Sequence, residues 1–191
     1  MFALILLVAS GGVGSAQDFQ KGFAAAEKGD FATALREWRP LAEQGDAWAQ
    51  YGLGWMYANG QGVTQDDKEA MNWYRKAAEQ GDAKAQYNLG QMYRRGQGVT
   101  QDYKEAMNWY RKAAEQGDAE AQRNLGWMYD KGTGVLQDNV YAHMWMNIAA
   151  SNGADRAAMG RDILAAQMTA AQMAEAQKLA RECVKKNYKG C

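Results

Sequence analysis

KEAMNWYRKAAEQGDA occupies residues 68–83, and the same sixteen letters return unchanged at residues 104–119, 36 positions further along the chain. A catalytic centre is normally built once in a protein. Identical copies at a fixed spacing are instead typical of a structural unit that stacks on its own neighbours. The duplication therefore predicts a repeat protein.

Extending the comparison at the same offset gives three units, residues 46–81, 82–117 and 118–153, of which the first two differ at only six positions. Each unit is predicted to form two helices, because an aspartate that can cap a helix is followed by helix-forming residues and a glycine stop. The first helices are expected to begin at Asp46, Asp82 and Asp118, and to end at Gly60, Gly96 and Gly132. The second helices are expected to begin at Asp66, Asp102 and Asp138, and to end at Gly81, Gly117 and Gly153. Glu69 and Glu105, three residues after an aspartate, predict capping boxes.

Apolar residues recur at helical spacing in both halves of the first unit. The predicted buried faces are Ala49, Leu53, Met56 and Tyr57 in the first helix, and Ala70, Trp73, Tyr74, Ala77 and Ala78 in the second. One helix pair cannot bury both of its faces, so neighbouring pairs must stack. We therefore predict an all-α fold, a right-handed α-solenoid of antiparallel helix pairs with about three full repeats.

The flanking segments are predicted to close the stack at both ends. Residues 17–45 read as a degenerate N-terminal repeat or cap, with Pro40 kinking its second helix. Residues 154–191 read as capping helices, one over 154–167 and one that begins with a Thr169–Gln172 capping box. In the last helix the predicted buried side is Met173, Ala176, Ala180 and Cys183, and the polar side is Gln172, Glu175 and Glu182.

The repeated pattern DA-x-AQ-x-x-LG-x-MY-x-x-G-x-GV-x-QD, followed by WYRKAAEQG, resembles the Sel1-like repeat (SLR), a relative of the tetratricopeptide repeat. The resemblance covers roughly residues 29–153. The third unit departs from it at its end, with WMNIAASNG in place of WYRKAAEQG, a form that looks like a final repeat before a cap. The resemblance implies adaptor and scaffold work in signalling and assembly.

The N-terminus predicts export. Residues 1–16 combine an apolar run over 2–9 with small residues before Gln17, which is typical of a signal peptide cleaved near Ala16. A buried N-terminal helix is the alternative. In an oxidising compartment Cys183 and Cys191 could form a disulfide, whereas in the cytosol they would be two free thiols. We expect a bacterial protein that is periplasmic or secreted, with no stable membrane anchor after cleavage.

Composition and motifs argue against several functional classes. Lys and Arg together number 22, as do Asp and Glu, so the chain lacks the basic footprint of a nucleic-acid-binding protein. No nucleophile elbow, phosphate-binding loop or HExxH motif is present, and two cysteines with one histidine cannot form a zinc cage. His143 is predicted to be a packing or surface residue. We therefore expect no enzyme activity, no catalytic residue, no cofactor and no metal site.

The positions at which the two near-identical units differ suggest a binding surface. Positions 48, 52, 55 and 59 form one stripe on the first helix, opposite the core stripe. Neutral drift on a solvated face is one explanation, but drift toward water should favour polar residues, and the three equivalent stripes contain three tryptophans. The predicted partner-binding residues are Trp48, Tyr51, Trp55, Asn59, Lys84, Tyr87, Asn88, Gln91, Arg95, Glu120, Asn124, Trp127 and Lys131.

The leading hypothesis is an exported, non-catalytic interaction module whose concave groove binds a protein or peptide partner. A second hypothesis is a cell-envelope enzyme or a peptidoglycan-related binder, because some cysteine-rich SLR proteins are linked to such activity. Those proteins carry a cysteine pair in each repeat, and this chain has none inside its repeats. A third hypothesis is a secreted effector that acts on host proteins.

Overall fold

The computed structural model describes residues 12–191, with side chains from residue 19 onward, and every regular element in that part of the chain is an α-helix. The helices are α1 Gly12–Glu27, α2 Phe31–Glu43, α3 Ala47–Asn59, α4 Asp67–Glu79, α5 Ala83–Arg95, α6 Tyr103–Ala114, α7 Ala119–Lys131, α8 Asn139–Ser151, α9 Ala157–Ala165 and α10 Ala170–Lys185. Each helix from α1 to α8 packs against the next one along the chain, and α10 returns to pack on α8. Four stacked helix pairs followed by a two-helix cap confirm the predicted all-α solenoid.

The predicted signal peptide falls largely on residues 1–11, which lie outside the described part of the chain. The predicted cleavage position after Ala16 lies within α1. No helix in residues 12–191 is both long enough and apolar enough to cross a membrane.

The predicted aspartate caps of the first helices are confirmed. The carboxylates of Asp46, Asp82 and Asp118 each accept a hydrogen bond from the backbone N–H three residues later, at 2.7–2.8 Å. Each first helix then ends at its predicted glycine: Gly60, Gly96 and Gly132. Local capping chemistry therefore places the helix boundaries where the sequence predicts them.

The predicted capping boxes of α4 and α6 are wrong. The Asp66 carboxylate does accept from the backbone N–H groups of Lys68 and Glu69. The backbone N–H of Asp66, which the Glu69 side chain would have to bind, instead donates to the carbonyl of Tyr57 on the preceding helix, at 3.0 Å. By contrast, the box at the start of α10 forms in both directions between Thr169 and Gln172.

Several helix ends differ from the prediction. The second helices α4, α6 and α8 stop two or three residues before their glycines, because the last turn tightens at the C-terminal cap. The helix predicted over residues 154–167 spans only Ala157–Ala165, because Arg156 adopts a left-handed backbone conformation with a φ of 59°. Pro40 lies inside α2, and the helix continues beyond it to Glu43.

The core runs along the whole stack. Ala49, Leu53 and Met56 of the predicted face of α3 are fully buried, and their equivalents in α5 and α7 are also buried. Trp73 departs from the prediction: it is only partly buried, and the Lys76 ammonium lies 4.0 Å from its ring centroid. Its equivalents are buried, with Trp109 9% exposed and Trp145 1% exposed.

A row of buried glutamines connects the first helices to the turns between units, and we call Gln50, Gln86 and Gln122 the glutamine ladder. Each side-chain amide donates to a carbonyl eight residues earlier, at 3.0–3.1 Å, and each side-chain carbonyl accepts from the end of the second helix of the same unit. The groups at the helix ends are Gln80, Gln116 and Asn152. The ladder therefore ties both helices of a unit to the preceding turn.

The C-terminal tail folds back on the stack. Cys183 and Cys191 form the predicted disulfide, with Cα atoms 5.6 Å apart. The Tyr188 hydroxyl donates to the Asn152 side chain at 3.2 Å, and the Gly190 N–H donates to the Glu115 carboxylate at 3.2 Å. The tail thus contacts Asn152, which is the hydrogen-bond partner of Gln122, the last glutamine of the ladder.

Candidate functional site

The first helices of successive units lie side by side, and the structure adds α1 to this row. Trp38 packs on Gly22 as Tyr74 packs on Gly54 and Tyr110 packs on Gly90. The offset between Gly22 and Gly54 is 32 residues, not 36, because the loop between α1 and α2 is four residues shorter than the later loops. Phe19 is therefore the structural equivalent of Tyr51, and Phe23 that of Trp55.

Aromatic side chains from this row surround a depression of about 750 Å³, which we call the anchor pocket. Three of its large aromatic groups are open to solvent: Trp48 is 61% exposed, Phe23 46% and Trp55 37%. The lining residues are Phe19, Gln20, Phe23, Ala26, Glu27, Trp38, Trp48, Tyr51, Gly52, Trp55, Asp82, Ala83 and Lys84. The pocket thus spans α1, α3 and the start of α5.

Packing beneath the anchor pocket holds its aromatic rings in place. Trp38, only 4% exposed, lies under Gly52, and a Cβ atom at that position would be 2.8 Å from the Trp38 ring. The Trp38 indole N–H donates to the Phe19 carbonyl at 3.2 Å. The Phe19 ring stacks on Trp38 and meets Trp48 edge to face, with ring centroids 5.5 Å apart. The exposed Trp48 is therefore supported by a buried aromatic layer.

A second, polar depression of about 460 Å³ continues from the anchor pocket across α3 and α5, and we call it the polar shelf. The two depressions share Tyr51 and Trp55. The remaining residues that line the shelf are Ala58, Asn59, Asp67, Tyr74, Tyr87, Asn88, Gln91, Met92, Arg95 and Gln97. Together the anchor pocket and the polar shelf form one groove.

Internal hydrogen bonds order several groups on the polar shelf. The Gln91 amide donates to the Tyr87 hydroxyl at 2.6 Å, and its carbonyl accepts from the Arg94 guanidinium at 2.8 Å. Burial raises the pKa of the Tyr51 hydroxyl, and the nearby carboxylate of Asp82 adds to that rise. The Tyr51 hydroxyl therefore stays protonated at neutral pH.

The structure places nine of the thirteen predicted partner-binding residues in this groove and four outside both depressions. The four that lie outside are Glu120, Asn124, Trp127 and Lys131. Asn124 is buried, and its side-chain amide donates to the carbonyl of Glu120 within α7. Trp127 is partly buried, with the Arg94 guanidinium 6.0 Å from its ring centroid.

Sequence reasoning missed the contribution of α1 to the groove. Phe19, Gln20, Phe23 and Glu27 line the anchor pocket, yet a comparison at a constant 36-residue offset does not align them with the stripe. The signal that could have found them is the glycine that faces the second helix in every unit, which returns after 32 residues at this end of the chain.

His143 lies away from the groove, on α8. It is 3% exposed, and its Nδ1 atom has no hydrogen-bond partner among the described residues. Among the described side chains, no group of three or more His, Cys, Asp or Glu is arranged to hold a metal ion. His143 is therefore a packing residue, one of the two roles predicted for it.

Stability should fall at mildly acidic pH because of His143. Burial lowers its pKa below the usual 6.5, and the charge of Arg161 lowers it further. The unfolded chain then binds more protons than the folded chain as the pH drops below about 6.5, so this contribution to stability is lost on the acid side. We expect His143→Met, which introduces the methionine found at the equivalent positions 71 and 107, to reduce this loss of stability at acidic pH.

The measurement is the melting temperature of the wild-type and His143→Met proteins between neutral and mildly acidic pH. Carboxylate protonation affects both proteins alike, so the difference between the two curves isolates His143. Parallel curves would contradict the assignment.

Comparison with known proteins shows which family of repeats this chain contains. The sequence model of the Sel1 repeat matches residues 49–82, 83–118 and 119–153, which is more than half of the chain. The chain belongs to the Sel1 repeat family. Sel1 repeat proteins generally act as scaffolds for protein–protein interaction. A comparison with curated proteins found no significant match.

Two solved structures of Sel1 repeat proteins resemble this chain. A Sel1 repeat protein from Oxalobacter formigenes is 36% identical, with a TM-score of 0.70, over 73% of this chain and 56% of that protein. A protective antigen present in uropathogenic Escherichia coli strains, which displays an SLR fold, is 32% identical, with a TM-score of 0.57, over 91% of this chain and 46% of that protein. This chain thus spans about half of the length of each.

Proposed function

We propose that this Sel1 repeat protein is a non-catalytic interaction module that binds a protein or peptide segment in the groove formed by the anchor pocket and the polar shelf. One observation carries the proposal: Trp48, Phe23 and Trp55 converge from two helices on one pocket and remain open to solvent. Exposed aromatic groups held rigidly by a packed layer are typical of binding hot spots.

The groove has the composition of an interaction surface rather than of a catalytic centre. Its floor is apolar, and its polar groups are amides, hydroxyls and separated charges. A partner that covers the anchor pocket would remove the exposed faces of Trp48 and Trp55 from water, which is the main source of favourable free energy in association. The surrounding polar groups would then select among partners.

Replacing both anchors tests the proposal. We expect Trp48→Ala combined with Trp55→Ala to weaken binding of the partner at least tenfold, since truncation of hot-spot aromatics commonly has effects of this size. The experiment is cross-linking in the producing cells, followed by affinity purification and quantitative mass spectrometry. Any partner so identified is then purified, and its Kd for wild-type and variant proteins is measured.

Leu136→Ala is the matched control, because Leu136 is 89% exposed but lies in a loop outside the groove. It should leave both the partner set and the Kd unchanged. Since Trp48 is largely exposed, we also expect the double variant to keep the circular dichroism spectrum of the wild-type protein. A well-folded double variant that retains all of its partners at wild-type affinity would show that the groove is not the binding site.

We further propose that the protein works outside the cytoplasm, in the periplasm or after secretion. The Cys183–Cys191 disulfide supports this, because such bonds persist mainly in oxidising compartments. The apolar N-terminal run over residues 2–9 also supports it. Intact mass spectrometry of protein from the producing organism tests both points. A full-length chain with two free thiols would overturn the proposal.

A further inference from the structure

The first helices α5 and α7 differ in how their charged side chains are paired. On α7, Glu120 pairs with Arg123 at 2.7 Å and Lys131 pairs with Asp130 at 2.8 Å. On α5, Lys84 and Arg95 are both exposed, and neither forms an ion pair with any described side chain. The face that adjoins the anchor pocket therefore carries two cations that remain available to a partner.

These two cations flank the groove. Lys84 lines the anchor pocket and Arg95 lines the polar shelf. They lie at opposite ends of α5, eleven positions apart, which corresponds to about 16 Å at 1.5 Å per residue. A segment about five residues long in extended conformation spans this distance.

The carboxylates that line the groove favour one orientation of a charged partner. Glu27 is exposed on α1, at the edge opposite α5. Asp82 is engaged in capping α5 through the Ala85 N–H, and Asp67 lies in the first turn of α4. Asp82 and Asp67 keep their negative charges, so negative charge on a partner is attracted only where it lies beside Lys84 or Arg95, and it is repelled at the α1 edge.

We infer that the groove takes a linear peptide segment that combines one bulky apolar side chain with neighbouring carboxylates. The apolar side chain fills the anchor pocket against Trp48 and Trp55, and the carboxylates meet Lys84 and Arg95. This inference rests on the proposed function and specifies the chemistry of the partner. The features that create it lie on three helices. They are Phe23 on α1, Trp48 and Gly52 on α3, and Lys84 and Arg95 on α5.

The test uses the wild-type chain to select from a phage-displayed library of random linear peptides, with the Trp48→Ala/Trp55→Ala protein for counter-selection. We expect the enriched peptides to share an aromatic or large aliphatic residue close to Asp or Glu. For synthetic copies, Lys84→Gln and Arg95→Gln should each raise Kd by up to about fivefold, the range for exposed charge pairs. Added salt should weaken wild-type binding and have less effect on these variants.

Lys104→Gln is the matched control, since Lys104 is an exposed cation on α6 outside the groove. It should not change Kd. Groove-dependent peptides without acidic residues, or peptides that bind both glutamine variants as tightly as the wild-type protein, would overturn this inference and leave the proposed function standing. If every selected peptide still binds the Trp48→Ala/Trp55→Ala protein, the inference and the peptide-binding function fail together.

Discussion

Gly98→Ala is expected to lower the free energy of unfolding by about 4 kcal/mol, because two separate costs coincide at this position. Gly98 has a φ of +69°, a left-handed conformation that costs a residue with a Cβ atom about 1–2 kcal/mol. An added Cβ atom would also overlap the backbone of Asp67, lying 2.6 Å from its carbonyl carbon and against its carbonyl oxygen. Backbone at the start of a helix cannot move aside as a flexible side chain can, so the overlap adds about 1–3 kcal/mol.

Gly81→Ala is the matched control for this prediction. Gly81 also has a positive φ, of +96°, but nothing lies within 4 Å of an added Cβ atom. Gly81→Ala should therefore lower the free energy of unfolding only by the cost of the left-handed conformation, about 1–2 kcal/mol. The measurement is urea denaturation of both variants, followed by circular dichroism. Equal losses of stability in the two variants would contradict the close contact between units.

The same contact explains why each repeat carries a second glycine after its first helix. Gly62, Gly98 and Gly134 each press against the start of the second helix in the preceding unit, at Phe31, Asp67 and Tyr103. The loop after each first helix is therefore a stacking surface between units. The glycine is required by an approach that only the stacked structure creates.

Gln122→Leu is expected to lower the free energy of unfolding by about 2 kcal/mol, although leucine is similar in size and more apolar. Gln122 is fully buried and bonds at both ends. Its amide donates to the Ala114 carbonyl at 3.1 Å, and its carbonyl accepts from the Asn152 amide at 2.8 Å. Leucine would remove both bonds, each of which contributes about 0.5–1.5 kcal/mol. The Ala114 carbonyl would still accept from the Gly117 N–H at 3.0 Å, and the exposed Asn152 amide could bind water.

Gln65→Leu serves as the control, because Gln65 is exposed in a loop. It should change stability by less than about 0.5 kcal/mol. Equilibrium denaturation of both variants measures the difference. A Gln122→Leu protein that is as stable as the wild type would mean that the glutamine ladder contributes little to holding the units together.

Much of the fold could be predicted from local chemistry. The aspartate caps and glycine ends of the first helices are where the sequence places them, because a cap depends on groups within three or four residues. The capping boxes of α4 and α6 could not be predicted in this way. The backbone carbonyls of Tyr57 and its equivalent Tyr93, on the preceding helices, accept hydrogen bonds from the backbone N–H groups that those boxes would have used.

The candidate site could be predicted only in part, because a sequence pattern shows which residues differ between repeats but not which of them are covered by a neighbouring helix. Differences between the two near-identical repeats pointed to Trp48, Trp55, Lys84 and Arg95, all of which line the groove. They also pointed to Asn124, which is 6% exposed. Burial depends on which neighbouring helix covers a position, and no pattern within one repeat contains that information.

By itself the sequence determined the repeat period, the helix ends that depend on local caps, and the family. It also contained the aromatic residues that make the groove. Only the tertiary structure decided that α1 joins the row of first helices, that Trp38 supports the pocket from beneath Gly52, and that the groove ends before α7. The reason is physical: helix periodicity and caps act within a few residues, whereas the anchor pocket arises from contacts between residues far apart in the chain, such as Phe19 and Trp48.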